Sequence, residues 1–221
     1  MTAWASQLIN LFATLILLLS FAMISQRRIV SLINLFAIQG LALVAASLLL
    51  AYVTHQPDLY VSGALTLVLK VVFIPWMLHR LIQRLNVRWD VETLLNIPTT
   101  MLVGIALVIF AFSLALPVSR LSDSIAGSSL GIALACVLLS FMMMITRSKA
   151  VPQVIGFLSM ENGLIFAATT VTNGMPMIVE FGIALDVLVG VLILGVFMFQ
   201  IREKFDSLDI HYLETLKDDP T

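Results

Sequence analysis

The stretch GFLSMENGLIFAA, residues 156–168, decides how this chain folds. Twelve of its thirteen side chains are apolar, small or uncharged, and the exception is Glu161. The apolar run around Glu161 is long enough to cross a bilayer, because a helical span needs about 20 predominantly apolar residues. A carboxyl group near the middle of such a helix is costly to place, so the sequence raises the question of what Glu161 does there.

The composition of the whole chain also indicates a protein that spans a membrane. Its 221 residues are 60% hydrophobic and 11% charged, whereas a soluble domain carries about 25% charged residues. This is more apolar surface than one soluble core can bury, which predicts a polytopic membrane protein. The formal net charge of -1 and the lack of a basic stripe with interleaved aromatic residues predict no nucleic-acid partner.

Residues with catalytic or metal-binding chemistry form no cluster in the sequence. Cys136 is the one cysteine, so an intramolecular disulfide is excluded and a small buried hydrophobe is the simplest interpretation. We find no cysteine cluster, no phosphate-binding glycine loop and no Ser/His/Asp set. The sequence therefore predicts no catalytic residue, no metal and no cofactor, and any ion movement must take its energy from a partner protein.

The hydrophobic runs predict an all-helical protein with seven transmembrane helices. The segments cover residues 4–25, 29–53, 59–81, 98–117, 125–146, 151–172 and 176–200. Segments one to three and five to seven resemble each other weakly and run in the same direction, which suggests a parallel three-helix repeat. The expected units are 1–83, a linking region 84–124, a second three-helix unit 125–200 and a polar tail 201–221.

Three ionisable residues, Lys70, Glu161 and Asp186, fall deep within predicted spans. At about 1.5 Å of rise per residue, each lies roughly 15 Å from a helix end, close to the middle of a hydrocarbon core about 30 Å thick. A row of ionisable groups at one depth is what a proton or ion path in the membrane plane requires. Secondary candidates for this path are Glu180, Gln39 and Asn162.

A structural interpretation competes with this one. Lys70 could pair with Asp186 and only hold two helices together, since buried pairs of this kind are often near break-even in energy. That pairing leaves Glu161 without a cationic partner, neutral at rest and suited to a proton relay. Pro75, five residues after Lys70, frees the carbonyl group of Val71. A local helix break beside a buried charge fits a functional role, but proline is also tolerated in ordinary membrane helices.

Several stretches resemble the E subunit of hydrogenase-4-type formate hydrogenlyases. They are IGFLSMENGLIFAA (155–168), EFGIALDVLVGVLIL (180–194), TLVLKVVFIPWML (66–78) and SLDIHYLETLK (207–217). Segments five to seven also resemble the three-helix K subunit of respiratory complex I and its counterpart in multisubunit cation/proton antiporters. Asp186, with Gly190 after it, matches the acid of the third helix in that family. The acid of its second helix matches the position of Leu158, one helical turn before Glu161 on the same face.

The resemblance implies a non-catalytic membrane subunit of a complex I-like oxidoreductase in a bacterial or archaeal cytoplasmic membrane. Its expected partners are antiporter-like and other membrane subunits, hydrophilic redox subunits reached indirectly, and the bilayer. Buried acids would contribute to proton or Na⁺ translocation. A subunit of a cation/proton antiporter without a redox partner, and a structural assembly subunit, are the alternatives.

The distribution of basic residues predicts the orientation of the chain. With seven helices, ten basic residues fall on one side, and only Arg120 on the other; the ten are Arg27, Arg28, Arg80, Arg84, Arg88, Arg147, Lys149, Arg202, Lys204 and Lys217. By the positive-inside rule we expect the N-terminus outside and residues 201–221 in the cytoplasm. Proteolysis of the tail in sealed spheroplasts tests this, and cleavage from outside would contradict the seven-helix topology.

Overall fold

The computed structural model describes residues 3–85, 96–119 and 125–172, together with Leu188 and Gly190. These ranges are helical and contain no β-strand. The elements are α1 (Ala3–Ser25), α2 (Ile29–Thr54), α3 (Pro57–Thr66), a π-helical segment (Leu67–Phe73), α4 (Ile74–Leu85), α5 (Ile97–Ser119), α6 (Ile125–Thr146) and α7 (Ala150–Thr172).

Six spans are long and apolar enough to cross a membrane within the described ranges. They are Trp4–Ser25, Ile29–Thr54, Leu59–Arg80, Ile97–Pro117, Ser129–Thr146 and Ala150–Val171. The all-helical membrane fold is confirmed for this part of the chain. The expected seventh span (176–200), with Glu180 and Asp186, and the tail lie outside the described residues, so the count of seven and the repeat remain predictions.

The third span is built from α3, the π-helical segment and α4 in continuous succession. α2 ends at Thr54, and His55 adopts a left-handed backbone conformation with φ of 55°, which is a common way to close a helix. Pro57 then begins α3 at a position where its missing N–H has no helical partner to lose. The turn between α2 and α3 is therefore short and fixed by its own residues.

Four helices form the centre of the molecule. α1 packs on α2, α2 on α7, α7 on α6 and α6 on α1, so the four helices close into a ring. The third span packs outside this ring on α2, and α5 packs outside it on α6 and α1. Large apolar side chains of α5 point outward, with exposed fractions of 70% for Leu102 and 63% for Ile109, as suits a helix that faces lipid.

Two apolar clusters fill the ring at different levels. The inner cluster lies toward the α1–α2 and α6–α7 turns and contains Met23, Ile29, Leu32, Ile33, Phe36, Ile74, Leu78, Ile82, Met143, Ile155 and Leu158. The outer cluster lies toward the opposite end and contains Ile9, Ala13, Ile16, Ala42, Leu43, Ala46, Leu50, Ala51, Leu59, Ala133, Cys136 and Phe166. Between the two clusters, each ring helix has a short stretch with polar side chains.

Glycines allow α6 and α7 to approach closely. A Cβ atom added at Gly156 would lie 2.9 Å from Cγ of Met144, and one added at Gly163 would lie 3.1 Å from Cβ of Cys136. Gly163 would also come within 3.3 Å of the backbone oxygen of Ala133, which cannot move aside without shifting the helix. Small residues at a helix interface are the usual means of close packing in a membrane, because lipid surroundings provide almost no hydrophobic driving force for helix association.

Gly163→Val should therefore destabilise the protein by about 1–3 kcal/mol, the typical cost of overpacking a filled interface. The measurement is thermal unfolding of the purified protein in mild detergent. Leu164→Val is the matched control, because Leu164 is the next residue on α7 and is 48% exposed. Equal stability of the two variants would contradict the close α6–α7 interface.

Candidate functional site

Lys70 and Glu161 form an ion pair inside the helix bundle. Nζ of Lys70 lies 3.3 Å from Oε1 of Glu161, and the two side chains are 0% and 1% exposed. The structural interpretation, in which Lys70 pairs with Asp186, leaves Glu161 without a cationic partner, and this consequence is wrong. The packing of the third span on α2 carries the long lysine side chain to Glu161 on α7, whereas Asp186 lies outside the described residues.

The π-helical segment places Lys70 on the side of the third span that faces α2. The backbone N–H of Ile74 donates to the carbonyl oxygen of Leu69, five residues earlier, which is the wider spacing of a π-helix. Pro75 follows directly, and its ring would clash with the carbonyl of Val71 in a regular α-helix. The widened turn accommodates Pro75, and the helix continues from the π-helical segment into α4 without interruption.

Gly40 of α2 faces the third span at this level. A Cβ atom added at Gly40 would lie 3.4 Å from Cγ2 of Val71 and 3.6 Å from Cβ of Lys70. These are ordinary contact distances, so the π-helical segment packs directly on α2 here, and an alanine at position 40 would fit as well. From this position the ammonium group reaches past α2 toward α7.

Two amide side chains continue from the ion pair into the ring. Nζ of Lys70 donates a hydrogen bond to Oδ1 of Asn162 at 3.0 Å. Nδ2 of Asn162 donates in turn to Oε1 of Gln39 at 3.2 Å. Both amides are 0% exposed. Four of the residues selected from the sequence, Lys70, Glu161, Asn162 and Gln39, are thus brought together from three spans.

Three buried serines extend this polar group. Nε2 of Gln39 donates to Oγ of Ser20 at 2.7 Å and to Oγ of Ser159 at 3.0 Å, and Oγ of Ser140 donates to Oγ of Ser159 at 2.8 Å. The sequence gives no signal for these serines, because a serine in a membrane helix usually bonds to its own backbone. We call the seven residues Ser20, Gln39, Lys70, Ser140, Ser159, Glu161 and Asn162 the polar layer.

The polar layer lies between the two apolar clusters. On α2, Gln39 lies between Phe36 of the inner cluster and Leu43 of the outer cluster. On α6, Ser140 lies between Met143 of the inner cluster and Cys136 of the outer cluster. The layer therefore runs across the bundle, parallel to the membrane plane, and close-packed apolar side chains separate it from both ends of the bundle.

A second buried cation, Arg147, lies at the end of the bundle where the α1–α2 and α6–α7 turns are found. Its side chain is 1% exposed, and its Nη2 group donates to the backbone oxygens of Ile24 and Met23 at 2.6 and 3.3 Å. Burial lowers the pKa of this guanidinium from its ordinary value. Carbonyl groups at a helix C-terminus attract cations, so Arg147 caps α1. The sequence identified Arg147 only as one of ten inner basic residues.

The chemistry available to the polar layer is ionic. Glu161 is an acid that can gain or lose a proton, and Lys70 supplies a positive charge beside it in a buried site. Within the ranges that the structure describes, no group of three or more His, Cys, Asp or Glu side chains could hold a metal ion. The amides and hydroxyl groups provide oriented dipoles around the pair.

The chain is similar to known proteins over nearly its whole length. It is 32% identical over 214 residues to the uncharacterized protein Rv0085 of Mycobacterium tuberculosis (strain ATCC 25618 / H37Rv). The aligned residues cover 96% of this chain and 97% of that protein. The chain belongs to the Rv0085 family. Residues of both halves, and hence both partners of the ion pair, lie within the extent of this similarity.

The Rv0085-family chain is also similar to hydrogenase subunits. It is 23% identical over 212 residues to hydrogenase-4 component E of Escherichia coli (strain K12) and of Shigella flexneri, covering 96% of this chain and 98% of each relative. No family model matches the chain, and no solved structure matches it.

Lys70→Met should destabilise the folded protein by about 3 kcal/mol, because it leaves a buried acid without its cation. The double variant Lys70→Met with Glu161→Gln should recover most of this loss, since neither partner then leaves an orphan charge. Thermal unfolding of the purified variants in detergent measures both effects. Losses that simply add would show that the two side chains do not interact.

Proposed function

We propose that this chain is a non-catalytic membrane subunit of a complex I-like, hydrogenase-type oxidoreductase, and that Glu161 and Lys70 take part in ion translocation coupled to redox chemistry in partner subunits. The observation that carries the proposal is the Lys70–Glu161 pair, buried at mid-span and enclosed by apolar layers. The full-length similarity to hydrogenase-4 component E supports a place in a multisubunit membrane complex.

The pair offers a way to couple charge movement to a partner. A lone carboxylate in an apolar site is costly, so Glu161 takes up a proton when the positive charge beside it is withdrawn, and releases the proton when the charge returns. A change of about 1.4 kcal/mol in the interaction shifts this equilibrium tenfold. A movement of the lysine by a few ångströms supplies such a change at low dielectric.

Close packing of the helices does not require the pair. Close contact between α6 and α7 already comes from the small residues Gly156 and Gly163. A buried ion pair is often no more stabilising than apolar side chains of the same volume. In our proposal the pair is needed because Glu161 can be either charged or neutral. Asp186 of the following predicted span is a further acid of the proposed ion path.

Isolation of the chain with its partners tests the first part of the proposal. Mild-detergent purification through an affinity tag, followed by protein identification, should recover antiporter-like membrane subunits and hydrophilic redox subunits. Recovery of antiporter subunits without any redox subunit would instead identify a cation/proton antiporter. The electron donor that the isolated complex oxidises then serves to energise vesicles in the functional assays.

Glu161→Gln should leave the complex assembled and its soluble redox half-reaction active, while ion translocation falls by at least about tenfold because the amide cannot ionise. Glu161→Asp should retain part of the activity. The assay is gradient formation in inverted membrane vesicles, monitored with a pH-sensitive dye and a sodium indicator. Thr169→Val is a matched control on α7, because its buried hydroxyl donates to carbonyl groups of its own helix.

The double variant Lys70→Met with Glu161→Gln separates a functional pair from a structural one. A pair that only holds helices together predicts that the double variant regains both stability and translocation. Our proposal predicts that it regains stability alone. Wild-type gradients in Glu161→Gln vesicles would rule out a role of Glu161 in translocation.

A further inference from the structure

The hydrogen bonds between the amides of the polar layer run in one direction away from Lys70. The ammonium group donates to the Asn162 oxygen, the Asn162 nitrogen donates to the Gln39 oxygen, and the Gln39 nitrogen donates to two serine oxygens. At each step the carbonyl oxygen lies on the side nearer to the cation. The two amide dipoles are therefore aligned, with their negative ends toward Lys70.

From this alignment we infer that Gln39 and Asn162 are positioning residues, which orient the Lys70 ammonium group beside Glu161 when the ion pair is formed and do not themselves carry ions. The inference rests on the proposed function of the pair. Amide side chains do not titrate in the range of protein chemistry, so they cannot pass a proton as a carboxyl group does. Aligned dipoles do stabilise a charge, because hydrogen-bonded groups in a low dielectric polarise one another.

The far end of the amide chain is closed. Oγ of Ser20 donates to the backbone oxygen of Ile16 on its own helix, and Oγ of Ser140 donates to Ser159 within the layer. Behind these serines, α1, α5 and α6 meet in a small apolar cluster built on Ile24, Leu139 and Met142. Among the described residues, the amide chain thus ends against apolar packing.

The groups that face Lys70 agree with a positioning role. From α7, the titratable side chain that faces it is Glu161, and the adjacent Asn162 is uncharged. From α2, it is approached by Gly40. The ammonium group therefore contacts a partner that changes charge and a partner that does not, so that the amide defines the position to which the cation returns beside Glu161.

The test replaces the amides by apolar groups of similar volume and by acids. In energised inverted vesicles, Asn162→Leu and Gln39→Leu should each slow translocation by about tenfold, the usual effect of losing a hydrogen bond to a charged group. Asn162→Asp should not restore the rate, because a second carboxylate pins the ammonium group and uncouples it from Glu161. Thr169→Val should translocate like the wild type.

A second measurement distinguishes positioning of the cation from packing. Asn162→Leu should raise the unfolding equilibrium constant of the purified protein by a larger factor when Lys70 is present than in the Lys70→Met background, where no ammonium group needs an acceptor. An equal loss in both backgrounds would show that the amide only fills space and would overturn the inference.

The remaining outcomes are also decisive. Wild-type translocation by Asn162→Leu and Gln39→Leu, while Glu161→Gln is inactive in the same vesicles, overturns the inference and leaves the proposed function standing. Full translocation by Asn162→Asp with loss in Asn162→Leu identifies the amide as part of the ion path and also overturns it. Wild-type translocation by Glu161→Gln removes the proposed function itself.

Discussion

The structure depends on one constraint, the burial of an ammonium group and a carboxyl group in the interior of an apolar bundle. Either charge alone at mid-span is unfavourable, since insertion of a single one costs about 2.5–3.5 kcal/mol. Their contact at 3.3 Å requires the third span to lie against α2. The π-helical segment carries Lys70, and its residues Lys70 and Val71 face Gly40 of α2.

The polar layer joins the two halves of the chain. Lys70 and Gln39 come from the first half, whereas Glu161, Asn162 and Ser159 come from the second, so neither half contains a complete site. A three-helix unit equivalent to the second half alone would carry the acid without this cation. The similarity to the Rv0085 protein and to hydrogenase-4 component E extends over nearly the whole chain, as expected if both halves are needed.

Two buried cations in the described part of the chain have different surroundings and different roles. Arg147 lies at the end of the bundle next to the α1–α2 turn and donates to carbonyl groups at the C-terminus of α1, a fixed partner that does not titrate. Lys70 lies at mid-span beside an acid whose charge can change. A cation with a permanent partner stabilises a structure, whereas a cation with a titrating partner responds to protonation, which is why the proposed path includes Lys70 and not Arg147.

The sequence by itself determined the membrane class, the positions of the six described spans and the depth of Lys70 and Glu161. These follow from local composition, because the cost of placing a residue in lipid depends on its own side chain and its distance from the helix ends. The sequence also showed that Pro75 frees the carbonyl group of Val71, since this effect is local. Only the tertiary structure decided that Lys70 meets Glu161, that Gln39 and Asn162 align between Lys70 and the buried serines, and that Arg147 is buried. These contacts join residues up to 124 positions apart and depend on which helix faces pack together, which no window of sequence contains. The sequence does not show which serines belong to the polar layer, because a serine hydroxyl group can donate to a carbonyl group of its own helix as easily as to a group on a neighbouring helix.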